Sequence, residues 1–150
     1  MDNTQKKYDS IEKEYFHLQS VIESFDSKSL TIKAWSVSIA GAIAGSSAFT
    51  DNRMIILFAS LVSLMFWLIE ASWKTFQYAH YKRLWEIEAF MREKGGSIDN
   101  LQIGASWSSS YHSGGLKRLF RVMFWHHVML PHGAMFSLLL LVYILLQYIL

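Results

Sequence analysis

Two long apolar runs joined by a short polar turn constrain this chain more than any other feature. Between Lys33 and Asp51 lie 17 residues without a formal charge (AWSVSIAGAIAGSSAFT). After Asp51-Asn52-Arg53, the run 54–73 (MIILFASLVSLMFWLIEASW) carries one charge, Glu70. About 20 apolar residues rising about 1.5 Å each cross the hydrocarbon core of a bilayer. The pattern therefore predicts a transmembrane helical hairpin. The competing reading, a buried hairpin of a soluble α-protein, must explain two such runs with almost no polar face.

Composition agrees with that reading. Hydrophobic residues make up 52% and aromatic residues 15% of the 150, with six Trp, a supply of interfacial anchors. The mean hydropathy of +0.19 is low for a bundle of spans alone, so much of the chain must be amphipathic and outside lipid. A net charge of +2 gives no expectation of nucleic-acid binding, and the lack of Cys excludes disulfides, thiolate metal sites and thiol nucleophiles. The N-terminus (MDNTQKKYDS) has no apolar core of a signal peptide, so insertion is expected to be driven by the spans themselves.

Residues 1–29 read as a cytoplasmic amphipathic helix. Tyr8, Ile11, Tyr15, Leu18, Ile22 and Phe25 recur at spacings of three and four, a seam on one helical face. Ser27-Lys28-Ser29 reads as a break or a bend into the membrane. The hairpin occupies 30–73. Its first span is rich in small residues: Gly41 and Gly45 form a GxxxG pair, Ser38, Ala42 and Ser46 a second stripe, and Ala40, Ala44 and Ala48 a third. Small residues let backbones approach closely, which drives helix association in lipid. The face could pack on the second span, join subunits, or line a pore. The second span is bulkier and looks lipid-facing. Its Glu70 is expected to reach headgroups or pair with Lys74, or else to serve an ion pathway or gate. Trp67 and Trp73 suit an interfacial belt.

No Pro or Gly interrupts 53–94, so the second span is expected to run on as a stalk helix over 74–94. Trp73, His80, Leu84, Ile87 and Met91 continue a seam of similar length to that of the first helix, roughly 26 Å. The two seams predict an antiparallel helical stalk outside the bilayer, ended by Gly95-Gly96. Residues 95–130 read as a Ser/Gly-rich loop followed by an interfacial helix. There Lys117, Arg118 and Arg121 alternate with Leu116, Leu119, Phe120, Met123 and Phe124, as suits an anionic membrane surface. Pro131 breaks that helix, and 131–150 reads as a third transmembrane helix. The fold expected is thus an all-α membrane protein: a two-span hairpin, a cytoplasmic antiparallel stalk and a third C-terminal span. Five basic residues precede the first span and eight lie between the second and third, against Arg53 alone in the turn. The positive-inside rule places the N-terminus and stalk in the cytoplasm and the C-terminus outside.

Few constellations suggest chemistry. His126, His127 and His132 have poor spacing for a helical zinc site and no carboxylate near in sequence, so they read as interfacial packing or headgroup contacts. His112 with Ser108–Ser110 lacks an orienting acid or a marked oxyanion site for hydrolysis. Glu86 and Glu88, beside Lys82, Arg83 and Arg92, read as a solvated charged face. No catalytic residue, metal site or cofactor is assigned.

The order of elements, with SKSLTIKAWSVS (27–38) entering a small-residue span and FWLIEASWKTFQYAHYKRLWEIEAFM (66–91) leaving the second, resembles the SLATT family of small bacterial membrane proteins. The likeness covers about residues 5–95 and rests on architecture, not on a catalytic motif. It implies a non-enzymatic membrane effector of an antiviral conflict system, a homo-oligomer that opens a pore in the inner membrane when a soluble partner senses infection, causing death or dormancy of the cell. Ser38, Gly41, Gly45 and Glu70 would matter most. The third span goes beyond the family's two-span pattern. The alternative is a membrane adaptor, whose spans only anchor a surface that recruits a soluble defence partner.

Overall fold

A computed structural model describes residues 3–50, 52–93 and 97–149. Among these the chain is all-helical, with no strand. Helix α1 spans Asn3–Ser46 and ends in a 3-10 turn, Ser47–Phe49. Helix α2 spans Met54–Glu93, α3 Ile103–Met123, α4 His126–Met129 and α5 His132–Ile149. Among the described residues α2 is, by length and composition, the one helix long and apolar enough to cross a membrane, and His132–Tyr148 is a shorter apolar helix. Asp51, Gly95 and Gly96 lie outside the described residues.

The two long helices pack antiparallel in one continuous register. Partner numbers sum to about 100 from Tyr8–Phe90, through Phe25–Trp73, to Ser29–Glu70. The break expected at 27–29 does not form. That segment holds no Gly or Pro to force one, Ser29 is buried against α2, and Thr31 Oγ1 donates back to the Ser27 carbonyl. At 40 residues, α2 is about 60 Å long.

Along this shared axis two bundles stack end to end. In the upper one Ile11, Leu18 and Ile22 of α1 pack on Leu84, Ile87 and Phe90 of α2, with Tyr8 and Tyr15 at the margin. The seam on α2 drifts from the expected position at its end: Phe90 is buried and Met91 exposed, as 3.6-residue periodicity requires over several turns. Trp73 and His80 both pack on Phe25. In the lower bundle Ala40 of α1, Ile56 and Ala59 of α2 and Leu139 of α5 form the core.

Helix α3 replaces much of the loop expected over 95–115. It returns along α2, making the upper bundle three-stranded. Tertiary contacts override the weak helix propensity of its Ser and Gly residues. Trp107 and Tyr111, one turn apart, stack at 5.1 Å and both lie against Phe76. The Trp107 indole N–H donates to the Phe76 carbonyl at 3.2 Å. The helix kinks at Gly115 (φ 49°, ψ −157°), which aims its second half at Trp67 and Ala71. Arg118 Nη1 caps the interruption by donating to the Ser110 carbonyl at 2.6 Å.

This geometry separates two adjacent glycines. Gly115→Ala forces a side chain into positive-φ backbone and is expected to cost about 1–3 kcal/mol. Gly114→Ala meets only the flexible end of Arg118 and should cost less. Thermal unfolding of the two purified variants, followed by circular dichroism, checks the order.

Candidate functional site

The site sits where the two bundles meet, and it is built around Glu70. A carboxylate in an otherwise apolar stretch must find donors. Glu70 is 0% exposed and takes them from both neighbouring helices. On Oε1 it accepts the Ser29 hydroxyl at 2.6 Å and the Lys33 ammonium at 2.5 Å. His132 Nε2, at the first residue of α5, lies 2.7 Å from Oε2. The other ring nitrogen of His132 is 2.7 Å from the Ser36 hydroxyl. A neutral ring donates from Nε2 and accepts from Ser36; an imidazolium donates to both. The ring keeps both bonds in either state.

The sequence leaves Glu70 to reach headgroups, to pair with Lys74 or to serve an ion pathway, and the pairing with Lys74 does not form. Lys74 instead pairs with Asp26 and donates to Gln77 Oε1 at 2.9 Å. Helical geometry explains the exchange. The side chain of Glu70 points at α1, where the antiparallel register sets Ser29 level with it, and Lys33, one turn further along the same face of α1, reaches back to the same oxygen. His132, expected at the interface, is wholly buried. His126 and His127 stay exposed, and among the described residues no group of three His, Asp or Glu is arranged to hold a metal.

Ser36, His132 and Glu70 are in the order of a hydrolytic triad, Ser–His–acid. The surroundings argue against that chemistry. Ser36 is 0% exposed, so no acyl group reaches its hydroxyl, and Glu70 is already neutralised by Lys33. A catalytic acid that orients a histidine also needs a substrate beside the nucleophile. The cluster is better read as a three-helix tie.

A second tie closes the far end of the stalk. Arg83 grips Glu14 with two bonds, Nε to Oε1 at 2.8 Å and Nη2 to Oε2 at 3.0 Å. It also donates to the Asp99 carbonyl at 2.5 Å, while the Leu101 amide donates to Glu14 Oε2 at 2.9 Å. Leu101 has φ 61°, an uncommon value for a branched residue that this amide bond helps to hold. Arg83 had been expected on a solvated face with Glu86 and Glu88; it is buried in the clasp, and Glu88 accepts from the Tyr15 hydroxyl at 3.2 Å. Burial pushes the Glu14 carboxyl up, but Arg83 and the loop amides outweigh it and hold the group below its usual value.

The remaining candidates fall elsewhere. Ser38, Gly41, Ala42, Gly45 and Ser46 are all exposed, on the side of α1 turned away from α2 and α5. A Cβ placed on Gly41 or Gly45 meets nothing within 4 Å. The chain's own packing uses Ser36, Ala40, Ile43 and Ala44 instead. Trp67, expected in an interfacial belt, is buried and donates to the Met123 carbonyl at 2.8 Å; Trp73 donates to the Phe25 carbonyl at 3.3 Å. Of the three basic residues on α3, Lys117 and Arg121 are exposed, whereas Arg118 folds over the Tyr78 ring at 5.0 Å. No family model matches this chain, and neither a curated protein nor a solved structure matches it.

Two outcomes follow. Glu70→Ala strands the Lys33 ammonium and should destabilise by about 3–5 kcal/mol, whereas Glu70→Gln with Lys33→Met should cost clearly less. Denaturant titration of the detergent-purified chain measures both. For Glu14, a depressed folded pKa means stability is present above its ordinary value of 4.5 and is lost as pH falls through the folded value. The Asp26 carboxyl, lifted by burial but lowered more by Lys74, acts with the same sign. The melting temperature should therefore drop between pH 6 and about pH 3, and Glu14→Gln should flatten part of that drop.

Proposed function

We propose that this chain is a membrane effector of a bacterial antiphage defence system, which assembles with copies of itself and perturbs or opens the inner membrane when a soluble partner triggers it. The observation that carries the membrane part is the girdle of exposed apolar side chains around the lower bundle. Trp35, Val37 and Ile39 of α1 belong to it, as do Phe58, Leu61, Met65 and Leu68 of α2 and Leu138, Leu141 and Leu145 of α5. Exposed apolar patches of this extent mark a membrane or partner surface. From Met54 to Glu70 the helix rises about 24 Å, so a bilayer around this girdle reaches just past the Glu70 tie. In this placement α1, α2 and α5 supply three spans, and the basic residues put the stalk in the cytoplasm and the C-terminus in the periplasm.

The assembly part is supported by the open face at Gly41 and Gly45. The interior of the lower bundle is filled by Ala40, Ile56, Ala59 and Leu139, so a path through one chain has no room. A path between chains needs a close-packing face, and the small residues of α1 offer one that the chain itself leaves unused. Triggering would act through the stalk, whose continuous helices carry a displacement to the spans.

One observation favours a membrane adaptor instead. The stalk has a groove of about 450 Å³ lined by Tyr15, Phe16, Ile87 and Met91, with Glu12, Glu88 and Arg92 at its edges. A soluble partner could seat there with the spans serving only as anchor. Exchange of the spans for an unrelated anchor separates the readings, since an adaptor keeps its function and a pore former loses it.

Membrane potential, followed by a voltage-sensitive dye in cells producing the chain under phage challenge with its neighbouring genes, tests the effector reading. Depolarisation is expected with the native chain and none with Gly41→Leu, which should still fold and insert because the position is open. Full depolarisation by Gly41→Leu with an unchanged oligomer would sink the seam, and a steady potential throughout would sink the effector.

A further inference from the structure

Above the Glu70 tie, beside the α1–α2 seam, four aromatic rings from two parts of the chain converge. Tyr78, Tyr81 and Trp85 follow one another along α2, and Trp125 comes from the turn before α4. Tyr78 lies 5.9 Å from Trp125 and 6.3 Å from Tyr81, and Tyr81 lies 5.9 Å from Trp85. They line a groove of about 340 Å³, closed at its lower end by Asp26, Lys74, Gln77 and His127. Tyr81 packs at the margin of the stalk core and Trp125 at the margin of the core around Trp67, each half-buried, as is Tyr78, while Trp85 is 53% exposed. The rings thus form the wall of a groove that leaves Trp85 open at its edge.

We propose that this groove binds the headgroup of an ammonium-bearing phospholipid of the phosphatidylethanolamine type, at the cytoplasmic face of the membrane. The inference rests on the membrane placement given above. Charge complementarity selects the occupant. Ring faces attract ammonium groups, and the Asp26 side chain, 56% exposed despite its bond to Lys74, presents a carboxylate beside them. The cations serve the other end of a zwitterion. Lys74 lines the groove, and Arg118 lies over the Tyr78 ring, 5.0 Å from its centroid. His127, at the lower end of the groove, carries a ring N–H able to donate to a phosphate oxygen. A headgroup carrying phosphate alone would leave the rings and Asp26 unused; an amine alone would meet Lys74 and Arg118 as repulsion.

Position points to the same source. Lys74 is one turn beyond Glu70, where the girdle ends. Below the groove, Phe124 is exposed and set edge-on to Trp67 at 5.7 Å, a surface along which acyl chains can run. Tyr and Trp beside Lys and Arg are the side chains that favour this layer of a bilayer.

The test is native mass spectrometry of the full chain extracted in mild detergent, offered equal amounts of phosphatidylethanolamine and phosphatidylglycerol. The native chain should retain phosphatidylethanolamine in excess. Trp85→Ala and Asp26→Asn should each reduce that excess by about fivefold, the worth of one exposed cation–π contact or ion pair. Trp85→Ala removes an exposed ring, and circular dichroism confirms its fold; Tyr81→Phe, which keeps the ring, should retain the lipid. Equal retention of both lipids, or an excess untouched by the two variants, overturns the proposal. So does equal binding of soluble phosphoethanolamine without lipid, which would make the ligand a free metabolite. A chain recovered in the soluble fraction without detergent fails at extraction, a failure of the membrane placement and not of headgroup choice.

Discussion

Everything in this structure depends on how one carboxylate is satisfied. In the proposed membrane placement three apolar helices would have no hydrophobic reason to associate, because acyl chains are as apolar as their side chains. Their mutual position is then set by small-residue packing and by polar bonds. Glu70 supplies the bonds: Ser29 and Lys33 from α1 on one oxygen, His132 from α5 on the other. Ser36 closes the ring of contacts from the far side of the imidazole. Two weaker ties complete the docking of α5. Ser60 donates to the Phe136 carbonyl at 3.1 Å, and Arg53 donates to the Leu146 carbonyl at 2.7 Å near the other end. Helix α5 is thus pinned at its first residue, one turn further on and near its foot.

The junction also explains why the stalk is a stalk. Since α1 and α2 are uninterrupted, the register fixed at Ser29–Glu70 is inherited by every pair above it. The Asp26–Lys74 and Gln77–Ile22 bonds follow within two turns. The Glu14–Arg83 clasp then locks the far end and brings in the segment that precedes α3. A buried bidentate pair of this kind stabilises less than its geometry suggests, because both charges lose water. Its value lies in selecting one register over slipped alternatives that would leave Arg83 unpaired. The apolar seam alone, with repeats of three and four, tolerates such slips.

Much of this was legible in the sequence. The spacing of Ile11, Leu18 and Ile22 against Leu84 and Ile87 marks two facing stripes, and those residues meet. What could not be read were the long-range polar partners. Lys33 stands one turn from Ser29, the residue the two seams set level with Glu70, but His132 lies 62 residues beyond Glu70 and no local pattern links them. Helix α3 was hidden by composition: Ser and Gly signal loop by propensity, yet Ser106 and Ser110 are the small residues turned into the α2 contact. The placement of Gly41 and Gly45 was left undecided between an internal and an external seam, because a GxxxG pair looks the same from either side.

That last ambiguity is resolved at the level of one chain by counting faces. A helix has room for one close-packing stripe toward each neighbour. On α1 the stripe toward α2 and α5 is taken by Ser29, Ser36 and Ala40, each almost wholly buried. Gly41 and Gly45 stand about 100° further round the helix from Ala40 and Ala44. They face away from every described element, and added carbon there touches nothing. Were lipid the intended neighbour, larger apolar residues would serve as well, since Gly lowers helix stability by about 1 kcal/mol relative to Ala. Two such residues one turn apart, beside Ala42 and Ser38, make sense where a second backbone comes close. In the proposed assembly the fully bonded junction would then lie inside each chain and the adjustable contact between chains, where a change in assembly need not break a buried ion pair.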